Sequence, residues 1–225
     1  MGSEMCIRDS FYAAQTLLAA DGRRLVWAWL DMWESPMPSQ AHHWCGMLGL
    51  PRELELHADR LCVYPARELT ALRKAPLPGT SWWEGSGARW VREVNGDRLE
   101  IHVHLDLLGC TDGHLGIALR CSDDGHEETL LYYDASLQRL VLDRNRSGAQ
   151  VTGQRSVAID PTQERLNLRV FLDRSSIEVF DENGRFSLSS RLYPQPGSLG
   201  VKLLASGSGG RVSIPKAWPL GSGWL

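Results

Sequence analysis

Short apolar runs separated by turn-forming residues fill the first third of the chain. Asp21-Gly22 is a dipeptide typical of hairpin turns. The prolines of Ser35–Ser39 interrupt the pattern, because proline cannot donate to a sheet ladder. The pattern therefore predicts four strands: Phe11–Leu18, Arg24–Leu30, His43–Leu50 and Arg60–Val63. Four antiparallel strands in about fifty residues have the size of one propeller blade, which cannot bury both of its faces alone.

The pattern changes after Pro65. Leu69 and Leu72 lie three apart within Ala66–Lys74, which predicts a short helical turn, and the Pro- and Gly-rich run that follows indicates a linker. From Thr80 onward apolar and polar residues alternate within each predicted strand, as in Leu99–Leu107. Asp181-Glu182-Asn183-Gly184 supplies a hairpin turn. Many short strands with one apolar face are typical of a β-sandwich. The predicted units are residues 1–10, a leader; 11–65, a blade; 66–79, a linker; and 80–225, a sandwich.

Composition narrows the class of protein. The 225 residues carry a net charge of −3 with both signs interspersed, which argues against nucleic-acid binding. No apolar run approaches the roughly twenty residues needed to span a bilayer, so no membrane contact is expected. The five cysteines are sparse and unpatterned, and they are interpreted as small buried thiols. A cytoplasmic location is therefore favoured.

Candidate catalytic and metal-binding groups have simpler structural interpretations. Asp173 and Glu178, with Asp181, resemble a carboxylate cluster, but turn hydrogen bonds and a solvated Glu178 are the preferred interpretation. His102 and His104 share one strand face without a third ligand at a suitable spacing, so they are interpreted as a solvent-facing pair rather than a metal site. His42, His43 and Cys45 cannot converge from a strand, because adjacent residues point to opposite faces. No metal or cofactor is expected.

Three tryptophans lie near the start of the predicted sandwich, namely Trp82, Trp83 and Trp90. Flat aromatic faces suit the apolar faces of sugar rings, so a sugar-stacking patch is one interpretation. Packing in a core or between domains is the other, and it is preferred because buried aromatic side chains contribute large apolar areas.

Two long motifs resemble glycoside hydrolase family 32, which holds invertases, fructanases and sucrose-6-phosphate hydrolases. The first comprises Phe11–Gln15, Trp29, the segment from Trp33 to Pro38, and Gly46–Leu54. The second is Leu168–Tyr193, which is similar to the signature of the family's C-terminal sandwich. The resemblance implies an all-β fold, in which the last blade of a five-bladed β-propeller is followed by a C-terminal β-sandwich.

The resemblance also implies a retaining hydrolysis of terminal β-fructofuranosides by an aspartate nucleophile and a glutamate acid. The family's Asn-Asp-Pro, Arg-Asp-Pro and Glu-Cys motifs do not occur in this sequence, so no catalytic residue is assigned. By matching positions, Trp33 is the first candidate for substrate contact, followed by Tyr12 and Trp29, with packing inside the blade as the alternative. The substrate is expected to be a small carbohydrate. The sequence does not distinguish between sucrose, sucrose 6-phosphate and fructans as the substrate. It also gives no oligomeric state.

Two hypotheses follow for the whole chain. Met1–Ser10 has no period, and Ser10 replaces the family's aspartate before Phe11, so this leader is interpreted as a sequence artefact or a cloning remnant. The chain is then expected to be a C-terminal fragment of a β-fructosidase, inactive by itself. The alternative is a non-catalytic carbohydrate-binding or structural β-sandwich protein that carries a remnant blade.

Overall fold

The part of the chain that the structure describes forms fifteen β-strands in three antiparallel sheets, and the prediction of an all-β fold is confirmed. The computed structural model describes residues 11–31, 37–149 and 151–223. Two 3-10 helices, Pro38–His42 and Arg67–Leu72, are its helical elements. The strands are β1 Phe11–Leu18, β2 Arg24–Leu30, β3 Arg52–His57, β4 Arg60–Pro65, β5 Gly87–Trp90, β6 Leu99–Asp106, β7 His114–Cys121, β8 Glu128–Asp134, β9 Arg139–Arg146, β10 Gln154–Ala158, β11 Arg165–Asp173, β12 Ser176–Asp181, β13 Ser187–Arg191, β14 Gly200–Ala205 and β15 Arg211–Pro219.

The first sheet is a four-stranded meander in the order β1-β2-β3-β4. Strands β1 and β2 have the predicted bounds, but the predicted strand His43–Leu50 is wrong. The third strand is β3, and only Leu48 of the predicted run forms a bridge, to Trp29. His43 and Gly46 both have positive φ, so the backbone turns there instead of extending. β2 therefore pairs with β3 along its first half and meets the loop around Leu48 along its second half.

The other two sheets face each other across one core. One has six strands in the order β10-β9-β8-β7-β14-β5, and the other has five in the order β13-β12-β11-β6-β15. Alternation explains how they pack: Leu99, Ile101, Val103 and Leu105 of β6 all point into the shared core, as predicted. Each inward position is nearly solvent-free, so this core carries most of the apolar burial of the chain.

The connection between the first sheet and the larger two is held in place. Arg67–Leu72 is a 3-10 helix, which confirms the predicted helical turn. After it the chain runs beside β15, where the N–H groups of Lys74 and Leu77 donate to the carbonyls of Pro219 and Ala217, both at 2.9 Å. Pro76 and Pro78 cannot donate, and this limits the contact to isolated bridges. The predicted linker is thus hydrogen-bonded to a sheet edge.

Side chains that the sequence placed on the outer face of β6 are largely covered. Glu100 is fully buried. His102 and His104 are half-buried, which corrects the expectation that this pair faces solvent. His102 lies against the ring of Trp218 at 5.2 Å, and His104 lies beside Trp82 at 6.4 Å. The sheet's second face is therefore a polar packing surface.

The tryptophans and cysteines divide between core and surface. Trp83 packs against the main core, which confirms the packing interpretation for this residue. Trp82 and Trp90 are 41% and 37% exposed, and their roles stay predictions. Cys62 and Cys121 are buried free thiols, and burial raises the pKa of Cys121 to about 11. Cys45 is exposed, which corrects its predicted burial. Within the described ranges, no helix has the length and hydropathy needed to cross a membrane.

Glu100 gives the fold a defined sensitivity to acid. Burial alone would raise the pKa of its carboxyl group, but hydrogen bonds from Arg73 and His102 and the charge of Arg169 lower that pKa from 4.5 to about 2. A carboxylate with a lowered pKa stabilises the folded state above pH 4.5, and this contribution is lost as the pH falls toward 2. We expect a loss on the order of 3 kcal/mol in the free energy of unfolding over that interval.

The measurement is urea unfolding at a series of pH values between 5 and 2, because this range spans the ordinary and the lowered pKa of Glu100. Glu100→Gln should flatten the acid limb of the stability curve. Glu164→Gln, at an exposed position, is the matched control and should leave the limb unchanged. Equal acid limbs for the two variants would contradict the assignment.

Candidate substrate-binding sheet

Two of the three predicted contact residues lie side by side in the four-stranded sheet. Tyr12 of β1 is the direct cross-strand partner of Trp29 of β2, so both side chains share one face. Tyr12 is 37% exposed and Trp29 is half-buried. A bulge between Tyr12 and Gln15, where Ala13 has a φ of 52°, turns the strand directly after Tyr12. Trp33 lies outside the described residues.

The Trp29 ring is held by a glycine across the sheet. A Cβ atom at Gly46 would lie 1.8 Å from Nε1 of the indole, and Gly46 has a φ of 69°. Only glycine satisfies both requirements, because any side chain would collide with the ring and strain the backbone. The backbone at Gly46 and the Trp29 indole therefore hold each other in position. The indole is packed on the side that faces Gly46, and the side chain as a whole stays half-buried.

The opposite face of the same sheet is anchored to the five-stranded sheet by a buried ion pair. Arg52 Nη2 donates to Glu178 Oε2 at 2.7 Å, and the two side chains are 5% and 3% exposed. Leu50 N–H donates to the other oxygen of Glu178 at 2.7 Å. The Arg52 guanidinium also lies over the ring of Phe11 at 3.7 Å. The predicted solvated Glu178 is wrong: this carboxylate is buried and paired.

A second ion pair lies at the end of β2. Arg191 Nη2 of β13 lies 2.7 Å from Asp31 Oδ1, and the side chains are 3% and 0% exposed. Asp31 follows Leu30 directly and is the last described residue before Met37. The five-stranded sheet thus fixes the backbone at the point where the chain leaves β2.

Glu53, a buried carboxylate of this sheet, is arranged for structure rather than for proton transfer. Glu53 accepts hydrogen bonds from Arg67 and Arg23, and these lower its pKa to about 2 against the opposing effect of burial. A general acid at neutral pH needs a raised pKa instead. Among the described residues, no group of three or more His, Cys, Asp or Glu side chains is placed to hold a metal ion.

A cavity that the sequence did not indicate lies between the four-stranded and five-stranded sheets. Its volume is about 500 Å³, and Trp44, Leu48 and Leu50 line it on one side, with Phe171 and Asp173 on the other. Leu48 is 74% exposed. The lining comes from segments more than a hundred residues apart, so no local sequence signal could have revealed it. The cavity can hold an apolar or weakly polar group.

Comparison with known proteins gives two consecutive family matches. Residues 7–65 match the N-terminal domain of glycosyl hydrolases family 32, and residues 68–219 match the C-terminal domain of the same family. The boundary between the matches falls at the end of β4.

Individual relatives agree with these matches. Sucrose-6-phosphate hydrolase of Zymomonas mobilis is 41% identical over 206 residues, which cover 90% of this chain and 40% of the relative. Raffinose invertase of Escherichia coli is 39% identical over 217 residues, which cover 96% of this chain and 44% of the relative. The chain thus spans less than half the length of these relatives.

The fold agrees as well. The structure of exo-inulinase from Aspergillus awamori superposes with a TM-score of 0.81 at 22% identity, over 96% of this chain and 44% of that one. Because the N-terminal and C-terminal family matches follow each other without overlap and together cover the sheets described above, we conclude that this chain belongs to glycosyl hydrolase family 32.

Proposed function

We propose that this chain is the C-terminal part of a retaining glycoside hydrolase that cleaves terminal β-fructofuranosides such as sucrose, sucrose 6-phosphate or fructans. The single observation that carries the proposal is the pair of consecutive family matches on one chain. Relatives named as a sucrose-6-phosphate hydrolase and an invertase, at 41% and 39% identity, support the substrate class. The substrate is a small carbohydrate.

The architecture we propose places residues 11–65 as the last blade of a five-bladed propeller, 66–79 as a linker and 80–225 as a β-sandwich, after a leader of residues 1–10. The order β1-β2-β3-β4 supports the blade, because a meander of four antiparallel strands is the unit of a propeller. β1 exposes seven of its eight residues. A strand so poorly covered is suited to contact a neighbouring blade.

In this arrangement the chain supplies one wall of the sugar pocket. The shared face of Tyr12 and Trp29, together with Trp33, offers aromatic surface to the apolar side of a fructosyl ring. The nucleophile, the acid and the transition-state stabiliser belong to motifs that this sequence does not contain. The ion pairs Arg52–Glu178 and Arg191–Asp31 would hold the wall against the sandwich.

We place the protein in the cytoplasm. Cys62 and Cys121 are buried free thiols, and sparse free cysteines of this kind fit a reducing compartment.

The proposal is tested with a chimaera in which residues 11–225 replace the matching C-terminal part of the Zymomonas mobilis sucrose-6-phosphate hydrolase. This chimaera should release fructose from sucrose. Removing a stacked aromatic weakens transition-state binding, so Trp33→Ala should lower kcat/KM by about two- to tenfold, equivalent to roughly 0.5–1.5 kcal/mol.

Trp82→Ala is the matched control, because Trp82 is exposed beside β6 and away from the four-stranded sheet. It should leave kcat/KM unchanged. A folded chimaera that releases no fructose would overturn the proposed function. Unchanged kinetics in a folded Trp33→Ala variant would return Trp33 to a packing role.

A further inference from the structure

The outer face of the six-stranded sheet carries a groove that the proposed function does not use. In that sheet Ile117, Leu131 and Leu203 point into the shared core, so the residues next to them point outward. Leu204, Gly116 and Tyr132 form one cross-strand row on the outer face, on β14, β7 and β8 respectively. The central position of this row carries no side chain.

Gly116 cannot be replaced by a larger residue. A Cβ atom there would lie 2.1 Å from the backbone oxygen of Leu131, so the gap in the row is fixed by the backbone. A groove of about 270 Å³ lies between Leu130 and Tyr132 on one side and Leu204 on the other. This volume is slightly below the range of about 300–1,000 Å³ for small-molecule sites, so the groove suits one or two sugar rings at most.

Polar groups stand at both ends of the groove. His114 packs against the ring of Tyr132 at 4.5 Å and lies 3.2 Å from Asp134 Oδ2. Ser206 Oγ accepts a hydrogen bond from His114 N–H at 2.9 Å, which leaves its own O–H to donate. At the other end Glu128 lies 3.4 Å from Lys202 Nζ.

The charges around the groove are balanced. Glu128 is paired with Lys202 and Arg146, and Asp134 is paired with His114. Two carboxylates therefore face two permanent cations, and the local field favours a neutral ligand over an ionic one. Apolar side chains beside an aromatic ring, with hydrogen-bonding groups at the ends, match the apolar face and the rim of hydroxyls of a saccharide.

A second copy of the chain fits this face less well. Stable interfaces bury about 800 Å² per partner, with a large apolar centre. Here Tyr132, Leu130 and Leu204 are already half-buried, and Trp90 is covered on one face by Lys202, whose Nζ lies 4.5 Å from the ring centroid. These partly covered apolar groups suit a narrow chain better than a flat protein surface.

We propose that this groove, lined by Tyr132, Leu130, Leu204, His114, Glu128 and Ser206, binds a neutral fructan chain. The choice of a fructan among saccharides rests on the proposed function, whereas the groove itself does not. The five-stranded sheet separates this face from the four-stranded sheet, so the groove can hold a polymer independently of the substrate wall. A shallow groove of this size should bind weakly, with a Kd on the order of 1 mM.

The test is native gel electrophoresis of the full chain in gels that contain inulin, levan or dextran at several concentrations. The chain should be retarded by inulin or levan and not by dextran. Tyr132→Ala and His114→Ala should weaken retardation about two- to tenfold, because each removes part of the aromatic wall. Tyr132→Phe keeps the ring and should retain most of the binding. Trp82→Ala is the control on the other sheet and should bind like the parent.

Four results would overturn the proposed fructan site. Equal mobility in all gels excludes the site, equal retardation by dextran excludes a fructan, and retardation that survives both Tyr132→Ala and His114→Ala excludes the groove. A dimer in sedimentation experiments that Tyr132→Ala dissociates would assign this face to a second copy. His114 is half-exposed, so its replacement tests the groove even if Tyr132→Ala disturbs folding. A chimaera that releases no fructose would overturn the proposed function while the retardation result stands.

Discussion

Replacing Glu178 by glutamine is expected to lower the free energy of unfolding by about 3–5 kcal/mol, because the Arg52 guanidinium would stay buried without a counter-charge. Both side chains are almost solvent-free, and Arg52 is further enclosed by the rings of Phe11 and Phe180. Hydrogen bonds from Arg52 to Ser187 and Ser189, at 2.9 and 2.5 Å, would remain but cannot neutralise the charge. The measurement is urea unfolding at pH 7 followed by tryptophan fluorescence.

Two variants make this result interpretable. Glu164→Gln is the same substitution at an exposed position and should change stability by less than about 0.5 kcal/mol. The double variant Arg52→Met/Glu178→Met removes both charges and should recover much of the loss, since apolar replacement of a whole buried pair is often neutral. If Glu178→Gln behaved like Glu164→Gln, the pair would not be what holds the two sheets together.

The chain by itself is expected to release no fructose from sucrose, sucrose 6-phosphate or inulin. Retaining hydrolysis requires a nucleophile and an acid about 5 Å apart across the glycosidic bond. The buried carboxylates next to the four-stranded sheet are engaged elsewhere: Glu53 with Arg67, Glu178 with Arg52 and Asp31 with Arg191. A carboxylate held in this way neither attacks an anomeric carbon nor donates a proton.

Free fructose is measured with purified chain against a buffer blank. The Zymomonas mobilis enzyme serves as the positive control. Glu34, which neighbours Trp33 in sequence and lies outside the described residues, is the acid most easily mistaken for a catalyst. Fructose release that disappears in a Glu34→Gln variant would show that the chain contains a catalytic pair after all.

The four-stranded sheet shows where local pattern suffices and where it fails. β1 and β2 have the predicted bounds, because their side chains follow a strand pattern and Asp21-Gly22 marks the turn between them. The loop before β3 looked like a strand because Trp44, Met47, Leu48 and Leu50 are apolar. Its backbone instead takes positive φ at His43 and Gly46, since the Gly46 position must accommodate the Trp29 ring. A contact between residues of different strands outweighed the local propensity.

Part of the candidate site could likewise be named from the sequence and part could not. Tyr12 and Trp29 were named as candidates for substrate contact from the family motif, and the register of β1 with β2 places them directly opposite each other. The substrate role of these residues and of Trp33 remains a prediction. Glu178 was misjudged because its partner Arg52 is 126 residues away in the sequence, and a carboxylate beside a turn has no local sign of burial.

What the sequence by itself determined is most of the strands whose side-chain period is 2, the apolar face of each, and the family to which two long motifs point. The strand pattern depends on neighbours within a few residues, so it can be read without a fold. The tertiary structure alone decided which carboxylates are buried and paired, that the predicted linker runs along β15, and that a groove lies between Tyr132 and Leu204. Burial and ion pairing depend on residues that only the packing of three sheets brings together.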